Sequence, residues 1–291
     1  MRERYVARID TGTWQPTLDV QRDTIAPTAA AALHDLLDGE GTPPAPGDPL
    51  PPLWHWLAFH PRAAQRDLGR DGHPGTGTFL PPTEGRRRMA AGGTVTLHAP
   101  LPVGATVRRE SLVTAAEEKQ GRSGNLLFVT VEHRIFVENS PHDVPSVVEH
   151  QNIVYRTPEP SPPGGGDGDA GDETWPWMAE LATEPTALFR FSALTYNAHR
   201  IHYDLPYTTT VEGYPGLVVQ GPFQAIGLAE LCRRFAPGRT VASFTFRAQR
   251  PAFGDNPLRL AGRPADDAVE LAAIDHTGSV TLRATATFAP T

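Results

Sequence analysis

The chain has 291 residues, a formal net charge of −7 and a single cysteine, Cys232. The net negative charge argues against nucleic acid as the main partner, and a single cysteine excludes a disulfide scaffold or a cysteine-based zinc site. Because no apolar run is long enough to span a bilayer and residues 1–10 lack the apolar segment of a signal peptide, we expect a cytoplasmic protein with no membrane partner.

The N-terminal part of the chain predicts one helix followed by a long hairpin. Residues 28–37 are rich in Ala and Leu and are followed by Gly39, which is typical of a helix and its end. Pro102-Val103-Gly104 then leads into a strand-like segment over 105–116, a turn over 120–124, and residues 126–137, which are rich in β-branched and aromatic side chains.

The clearest break in the sequence lies at residues 157–173, TPEPSPPGGGDGDAGDE. This stretch of Pro, Gly and Asp has no apolar anchor, so it cannot offset its ordering entropy by burial. We therefore predict an N-terminal domain over 1–156, a flexible linker over 157–176 and a C-terminal domain over 177–291.

The C-terminal part repeats the pattern of the first. A helix is predicted over 222–235, because Pro222 suits a first helical turn and apolar residues follow at helical spacing. Residues 258–274 predict a strand, 275–278 a turn and 280–288 a second, alternating strand. Matching Gly104 with Gly254 and Gly121 with Gly278 gives a weak repeat, which predicts an α+β protein with two antiparallel sheets, each wrapped around a helix.

A polar cluster stands out ahead of the second helix. It is followed by apolar residues 217–219 and by Gly221 and Pro222, which open the helix. Polar groups held beside a helix N-terminus form a common site for developing negative charge. The cluster consists of Asn197, His199, Arg200, His202, Tyr203 and Asp204.

This segment resembles the MaoC-like, R-specific enoyl-CoA hydratases, and within them the type 2 hydroxyacyl-thioester dehydratases, including the mesaconyl-C4-CoA and itaconyl-CoA hydratases. The group's signature is Asp-x-Asn-Pro-x-His-x-Asp, and the subgroup typically has Asn-x-His-Arg-Ile-His-x-Asp. Residues 197–204 read NAHRIHYD, so His202 and Asp204 match the group, while Asn197 stands where the group has a catalytic Asp. Gln220 replaces a His that is usual in the subgroup.

The resemblance extends into the N-terminal half at residues 51–56, 79–82 and 87–89, with Ala90 in place of a usual Trp. It implies a double hot-dog fold. In this fold the C-terminal hot dog is catalytic. The N-terminal one is degenerate, lacks the polar cluster and supplies the other wall of an acyl-thioester tunnel.

Hydration of an α,β-unsaturated thioester needs a base for the attacking water and donors for the enolate oxygen. We expect His202 to act as base and acid, the Gly221 N–H to be the oxyanion donor, and Asn197 to orient the water or the imidazole. Each has a structural alternative: a buried core histidine, a glycine that permits a turn, and a turn-forming asparagine. His199 is an even choice between a partner of this site and a surface residue.

The remaining candidate residues are assigned to substrate binding. Asp204 is alternatively a helix cap, and the arginines are alternatively solvated. Tyr203, Tyr207 and Tyr214 are more typical of residues that pack or form the wall of a pocket than of catalytic acids. The substrate-binding candidates are His199, Arg200, Asp204, Tyr214, Arg87 and Arg88.

No metal and no tightly held cofactor are expected, because the thioester itself acidifies its α-carbon, and coenzyme A enters as part of the substrate. The expected partner is an acyl-CoA or acyl-carrier-protein thioester, and a homodimer is left open. By resemblance, the acyl group is small, branched or dicarboxylic. Two alternative functions are a thioesterase on the same fold and a non-catalytic acyl-CoA-binding module.

Overall fold

The structure is a computed structural model that describes residues 14–75, 79–83, 85–121, 124–141, 143–156 and 174–290. In these residues the strands are β1 (Asp19–Thr24), β2 (Arg87–Leu97), β3 (Thr106–Gly121), β4 (Gly124–Val137), β5 (Val147–Arg156), β6 (Trp177–Leu181), β7 (Val241–Ala248), β8 (Leu258–Ala265), β9 (Ala268–Ile274) and β10 (Val280–Phe288). The α-helices are α1 (Pro27–Leu36), α2 (Pro185–Leu194), α3 (Leu205–Thr210) and α4 (Gly221–Phe235).

The strands form one antiparallel sheet in the order β1-β3-β4-β5-β2-β7-β10-β9-β8-β6. Counted outward from the centre, one side runs β2, β5, β4, β3, β1 and the other runs β7, β10, β9, β8, β6. The two halves therefore have the same topology in chain order. The two predicted antiparallel sheets are present as these halves, joined edge to edge where β2 pairs with β7.

Glycines in β2 permit the close approach of the two halves. Gly92 pairs with Arg247 of β7 on one side and lies at a β-bulge of the β2–β5 pairing on the other. Its φ of +145° is unfavourable for other residues, and a Cβ there would overlap the Phe246 carbonyl. This part of the sequence is thus constrained by the junction between the half-sheets.

Both helices predicted from the sequence are present. The helix predicted over 222–235 is α4, Gly221–Phe235, which packs against all five strands of the C-terminal half. The helix predicted over 28–37 is α1, Pro27–Leu36, and it packs against α2 and the 3₁₀ turn Trp54–Leu57. Since α1 follows β1 as α2 follows β6, α1 is the topological counterpart of α2.

Two details of the predicted repeat are wrong. The segment predicted as one strand over 258–274 is a hairpin, because the turn at Asp266 and Asp267 separates β8 from β9, with Asp266 at φ +40°. The turn after β3 therefore corresponds to this β8–β9 turn and not to the turn over 275–278, which connects β9 to β10. Residues 157–173 of the linker predicted over 157–176 lie outside the described residues.

The two halves share one apolar core. Trp54 is 1% exposed, and its indole N–H donates to Glu230 Oε1 on α4 over 3.1 Å. Trp54 belongs to the same cluster of buried side chains as Phe223 on α4 and Leu33 on α1. Because the core is continuous, the N-terminal half is held in a fixed position beside the polar cluster.

None of the described helices combines the length and apolar character needed to cross a membrane.

Candidate active site

The polar cluster begins at a tight reversal after α2. Tyr196 adopts a left-handed backbone conformation with φ +51°, and the Asn197 N–H donates to the Ser192 carbonyl over 2.8 Å. Asn197 Oδ1 accepts the His199 N–H over 3.0 Å, which is the Asx-type turn that asparagine favours. In the described part of the chain nothing accepts from Asn197 Nδ2, so this nitrogen can donate to a water or a substrate.

His202 is buried at the end of the following 3₁₀ turn, Arg200–His202. Its Nδ1 lies 2.7 Å from the Val218 carbonyl oxygen. Because a carbonyl can only accept, Nδ1 carries the proton and Nε2 presents a lone pair. Burial lowers the pKa of His202 to about 4 against the raising effect of the Val218 bond, and the charge of His73 lowers it further. The ring is therefore neutral at pH 7 and able to accept a proton.

The segment before α4 connects this base to the helix N-terminus. The Val218 N–H donates to the Ile201 carbonyl over 2.9 Å, and the Val219 N–H donates to the Ala252 carbonyl over 2.9 Å. The Val218 carbonyl that holds His202 is three residues before Gly221, a distance of about 10 Å at most. The backbone thus fixes His202 and the first turn of α4 relative to each other.

Gly221 is the first residue of α4, and its surroundings suit an approaching ligand. The N–H groups of a first turn have no intrahelical acceptor, and Pro222 has no N–H to offer. Among the described residues, no backbone carbonyl accepts the Gly221 N–H. A Cβ on Gly221 would meet nothing within 4 Å, so the glycine faces open space. The helix dipole favours negative charge at this position.

Gln220 links the start of α4 to α2. It is 1% exposed, and its Nε2 donates to the Leu188 carbonyl and to Ser192 Oγ, each over 2.9 Å. Since the carbonyl of Ser192 also holds the Asn197 N–H, the reversal at Asn197 and the N-terminus of α4 have a common support. Gln220, which departs from the subgroup's usual His, therefore keeps a polar connection here.

The N-terminal half, predicted to supply the other wall of the site, also brings two polar residues to the cluster that were not predicted from the sequence. A short hairpin, closed by bridge pairing of Leu68 with Pro74, brings Asp71 and His73 to the cluster. His73 Nδ1 lies 2.9 Å from Asp71 Oδ2, and its ring centroid lies 4.0 Å from that of His199.

The hairpin fits closely against the segment that carries the cluster. The Arg200 N–H donates to the Asp71 carbonyl over 2.8 Å, and Arg200 Nη1 donates to the Arg70 carbonyl over 3.1 Å. Gly72 has φ +91°, and a Cβ there would overlap the Ala198 carbonyl. The two loops therefore approach each other at a distance that only glycine permits.

The charges of this region have a defined pattern. Burial, the charge of His73 and the charge of His202 lower the pKa of His199 to about 2, so His199 is neutral. Burial raises the pKa of Asp71, but the hydrogen bonds and charge of His73 outweigh it and hold that pKa at about 2. Asp71 is therefore ionised.

Two predicted substrate-binding residues have structural partners. Arg200 Nε and Nη2 both donate to Asp204 Oδ2, over 2.9 and 2.7 Å, and the guanidinium lies 4.0 Å above the Tyr207 ring. Asp204 Oδ1 accepts the Tyr207 N–H over 3.0 Å, so it caps α3. These contacts stabilise the loop, and a direct role of either residue in substrate binding stays a prediction.

The other predicted residues lie around the cluster. Tyr214 packs over Ile201 and Val218, and its ring centroid is 6.0 Å from that of Phe253. Arg88 is exposed on β2, and its charge contributes to the lowered pKa of His199. The side chain of Arg87 lies outside the described part of the structure.

Asp71, His73 and His199 are also the described residues whose types and spacing could hold a metal ion, with their ligand atoms within 4.8 Å of one another. Asp71 and His73 are, however, already bonded to each other through Oδ2 and Nδ1. We interpret them as a hydrogen-bonded pair, and the expected absence of a metal stays a prediction.

Comparisons with known proteins place the chain in a family. Residues 53–254 match the family model described as hydroxyacyl-thioester dehydratase type 2. The chain is 44% identical over 269 residues to mesaconyl-C(4)-CoA hydratase of Chloroflexus aurantiacus, covering 92% of this chain and 94% of that one.

Two solved structures have the same fold. HtdX of Mycobacterium tuberculosis superposes with a TM-score of 0.65 at 17% identity, covering 94% of this chain and all of the other. A MaoC-like dehydratase from Phytophthora capsici gives a TM-score of 0.67 at 13% identity, covering 95% and 96%. The predicted double hot-dog fold and the predicted class, a hydro-lyase of acyl thioesters, are thereby confirmed: the chain belongs to the hydroxyacyl-thioester dehydratase type 2 family.

Proposed function

We propose that the chain hydrates a short dicarboxylic α,β-unsaturated acyl-CoA of the mesaconyl-C4-CoA type, using His202, Asn197 and Gly221. His202 Nε2 takes a proton from water as the water oxygen bonds to the β-carbon. The double-bond electrons move into the thioester, whose oxygen becomes an enolate. The Gly221 N–H and the dipole of α4 stabilise that oxygen, and Asn197 Nδ2 orients the water.

One observation carries this assignment: the 2.7 Å hydrogen bond from His202 Nδ1 to the Val218 carbonyl. It fixes the tautomer in which Nε2 is the free base. The same backbone segment leads directly into the open first turn of α4, where an enolate oxygen finds its donor.

The substrate assignment is supported by the name of the relative that is 44% identical. Mesaconyl-C4-CoA carries a free carboxylate on the β-carbon, next to the position that water attacks. Arg88, whose charge acts on His199, is suited to the anionic parts of such a substrate. Arg87 stays a candidate for the same task.

We further propose that the reaction needs no bound metal or organic cofactor. The thioester carbonyl itself makes the α-carbon acidic, so the protein has to supply only a base, an oxyanion donor and positioning. Coenzyme A then serves as the carrier of the acyl group, with an acyl carrier protein as the alternative carrier.

A panel of thioesters tests the proposal. Purified protein is mixed with mesaconyl-C4-CoA, with itaconyl-CoA and with crotonyl-CoA, which lacks the free carboxylate. Formation of the hydrated thioester, measured by chromatography, and release of free thiol are followed together. We expect the hydrated thioester to form without thiol release, with the largest kcat/KM for a dicarboxylic substrate. Thiol release at the same rate would instead indicate a thioesterase, and binding without either signal would indicate a binding module.

A further inference from the structure

Adding water across a double bond moves two protons: a base takes one from the attacking water, and an acid delivers one to the α-carbon. His202 can carry out both steps in turn, whereas a second proton-transfer residue would allow them to occur together. Asn197 cannot exchange protons at neutral pH, and His199 is held in its neutral form by burial and by two neighbouring histidines. Asp204 is bonded to Arg200 and caps α3.

The hairpin of the N-terminal half places a suitable acid beside this cluster. Asp71 Oδ2 is 2.9 Å from His73 Nδ1, and Asp71 Oδ1 accepts the His73 backbone N–H over 3.1 Å. One carboxylate therefore fixes the orientation of the ring and holds a proton on Nδ1. In this arrangement His73 Nε2 is the nitrogen left for other partners, as in the Asp–His pairs of hydrolases.

The position of His73 is fixed by the surrounding structure. The Gly69 N–H donates to the His73 carbonyl over 2.7 Å inside the hairpin, and the hairpin is held on the cluster by Arg200 and by the close approach at Gly72. The His73 ring lies against His199, which in turn lies edge-on to His202 at a centroid distance of 5.3 Å.

We propose that His73 is the second proton-transfer residue of the active site and that Asp71 is its positioning residue. This inference rests on the proposed hydratase function. In the hydration direction His202 takes one proton from water, the C–O bond forms at the β-carbon, and the resulting enolate takes its α-proton from Nε2 of the His73 imidazolium. The proton on His202 then passes to His73 through solvent, so one water is added and both rings return to their starting states.

This assignment makes each half of the chain contribute to catalysis. The base is on the C-terminal half and the acid is on the N-terminal half. The charged and titratable groups around the His73–His199 pair are Asp71, His202, Arg88 and the Arg200–Asp204 ion pair.

The test compares His73→Gln, Asp71→Asn and the wild-type protein with mesaconyl-C4-CoA over a range of pH. For His73→Gln we expect kcat to fall by about 10²–10⁴-fold while KM changes by no more than about threefold. If His73 is the acid, the activity of the wild type should fall at high pH. His73→Gln should lack this alkaline limb of the pH–rate profile, and Asp71→Asn should change its position.

A matched control is His60→Gln. His60 Nε2 bonds to the Leu194 carbonyl over 2.9 Å, so it also joins the two halves through a histidine, but outside the cluster. We expect this variant to keep kcat within about threefold of wild type. Equal losses in both histidine variants would show that docking of the halves, and not proton transfer, is what His73 provides.

Rescue by free imidazole distinguishes a role of His73 in proton transfer from a role in folding. The His73 side chain is 25% exposed, so in His73→Ala free imidazole can enter the space it leaves. We expect imidazole to restore part of kcat in His73→Ala and to have no effect on the wild type.

Two results would overturn the proposal: a folded His73→Gln protein with normal kcat and an intact alkaline limb, or loss of wild-type activity on chelation that returns with added metal. If the wild type hydrates no enoyl thioester at all, the proposed function fails first, and this outcome is distinct from an active wild type with an unaffected His73 variant.

Discussion

Replacing Gly221 by Ala separates the catalytic role of this position from its structural role. A Cβ there would touch no protein atom within 4 Å, and its φ lies outside the left-handed region. The methyl group is therefore accepted without strain, and the free energy of unfolding should stay the same or rise by about 0.4–1 kcal/mol through the lower entropy of the unfolded chain.

Turnover should respond in the opposite direction, because the added methyl group occupies the space through which a thioester oxygen reaches the N–H. Loss of one oxyanion donor lowers kcat by about 10²–10³-fold, or about 2.7–4 kcal/mol of transition-state stabilisation. The assay pairs hydration kinetics with a thermal melt of the same sample of Gly221→Ala.

Gly216→Ala is the matched control, since a Cβ on Gly216 also meets nothing within 4 Å and its φ is not positive. We expect this variant to be as stable and as active as the wild type. A Gly221→Ala protein that is folded and turns over within about threefold of wild type would refute the oxyanion assignment. A lower melting temperature would refute the argument that the position faces open space.

Three further predictions concern charge. Asn197→Asp keeps the Oδ1 acceptor for the His199 N–H and adds a negative charge close to His202, so the acid limb of the pH–rate profile should move to higher pH; an unchanged profile places Asn197 away from the base. Because burial lowers the pKa of His202 to about 4, the free energy of unfolding should decrease as pH falls from about 6.5 to about 4, with a shallower slope in His202→Gln; equal slopes in urea titrations contradict this. Glu149 is buried, and its Oε2 accepts from His55 Nε2 over 3.1 Å and from Trp56 Nε1 over 3.0 Å. Glu149→Gln should therefore lower the free energy of unfolding in urea by about 1–3 kcal/mol, and a loss confined to turnover would contradict a structural role.

Local signals predicted much of the fold. Pro222 and the spacing of apolar residues after it predicted the bounds of α4 to within one residue. Both signals depend only on residues that are close together in the sequence. The hairpin between β8 and β9 was missed, although Pro264, Asp266 and Asp267 are turn-forming residues, because the apolar pattern on both sides was read as one strand.

The active site was predicted only where its residues are consecutive. His202 and Asn197 lie in one short segment, so the pattern itself brings them together. Asp71 and His73 were missed because their contact with His199 depends on the packing of the two halves and on the close approach at Gly72. The Asp-Gly-His-Pro run marks a polar turn, but no local pattern predicts which distant segment a turn will contact.

Hydration of mesaconyl-C4-CoA in heavy-oxygen water, with the products analysed by mass spectrometry, tests the central claim most directly. The proposed mechanism predicts that the wild-type protein places the heavy oxygen in a hydroxyl group on the β-carbon of an intact thioester, and that His202→Ala does so far more slowly while remaining folded. Heavy oxygen in a released carboxylate, or equal rates for the two proteins, would contradict it.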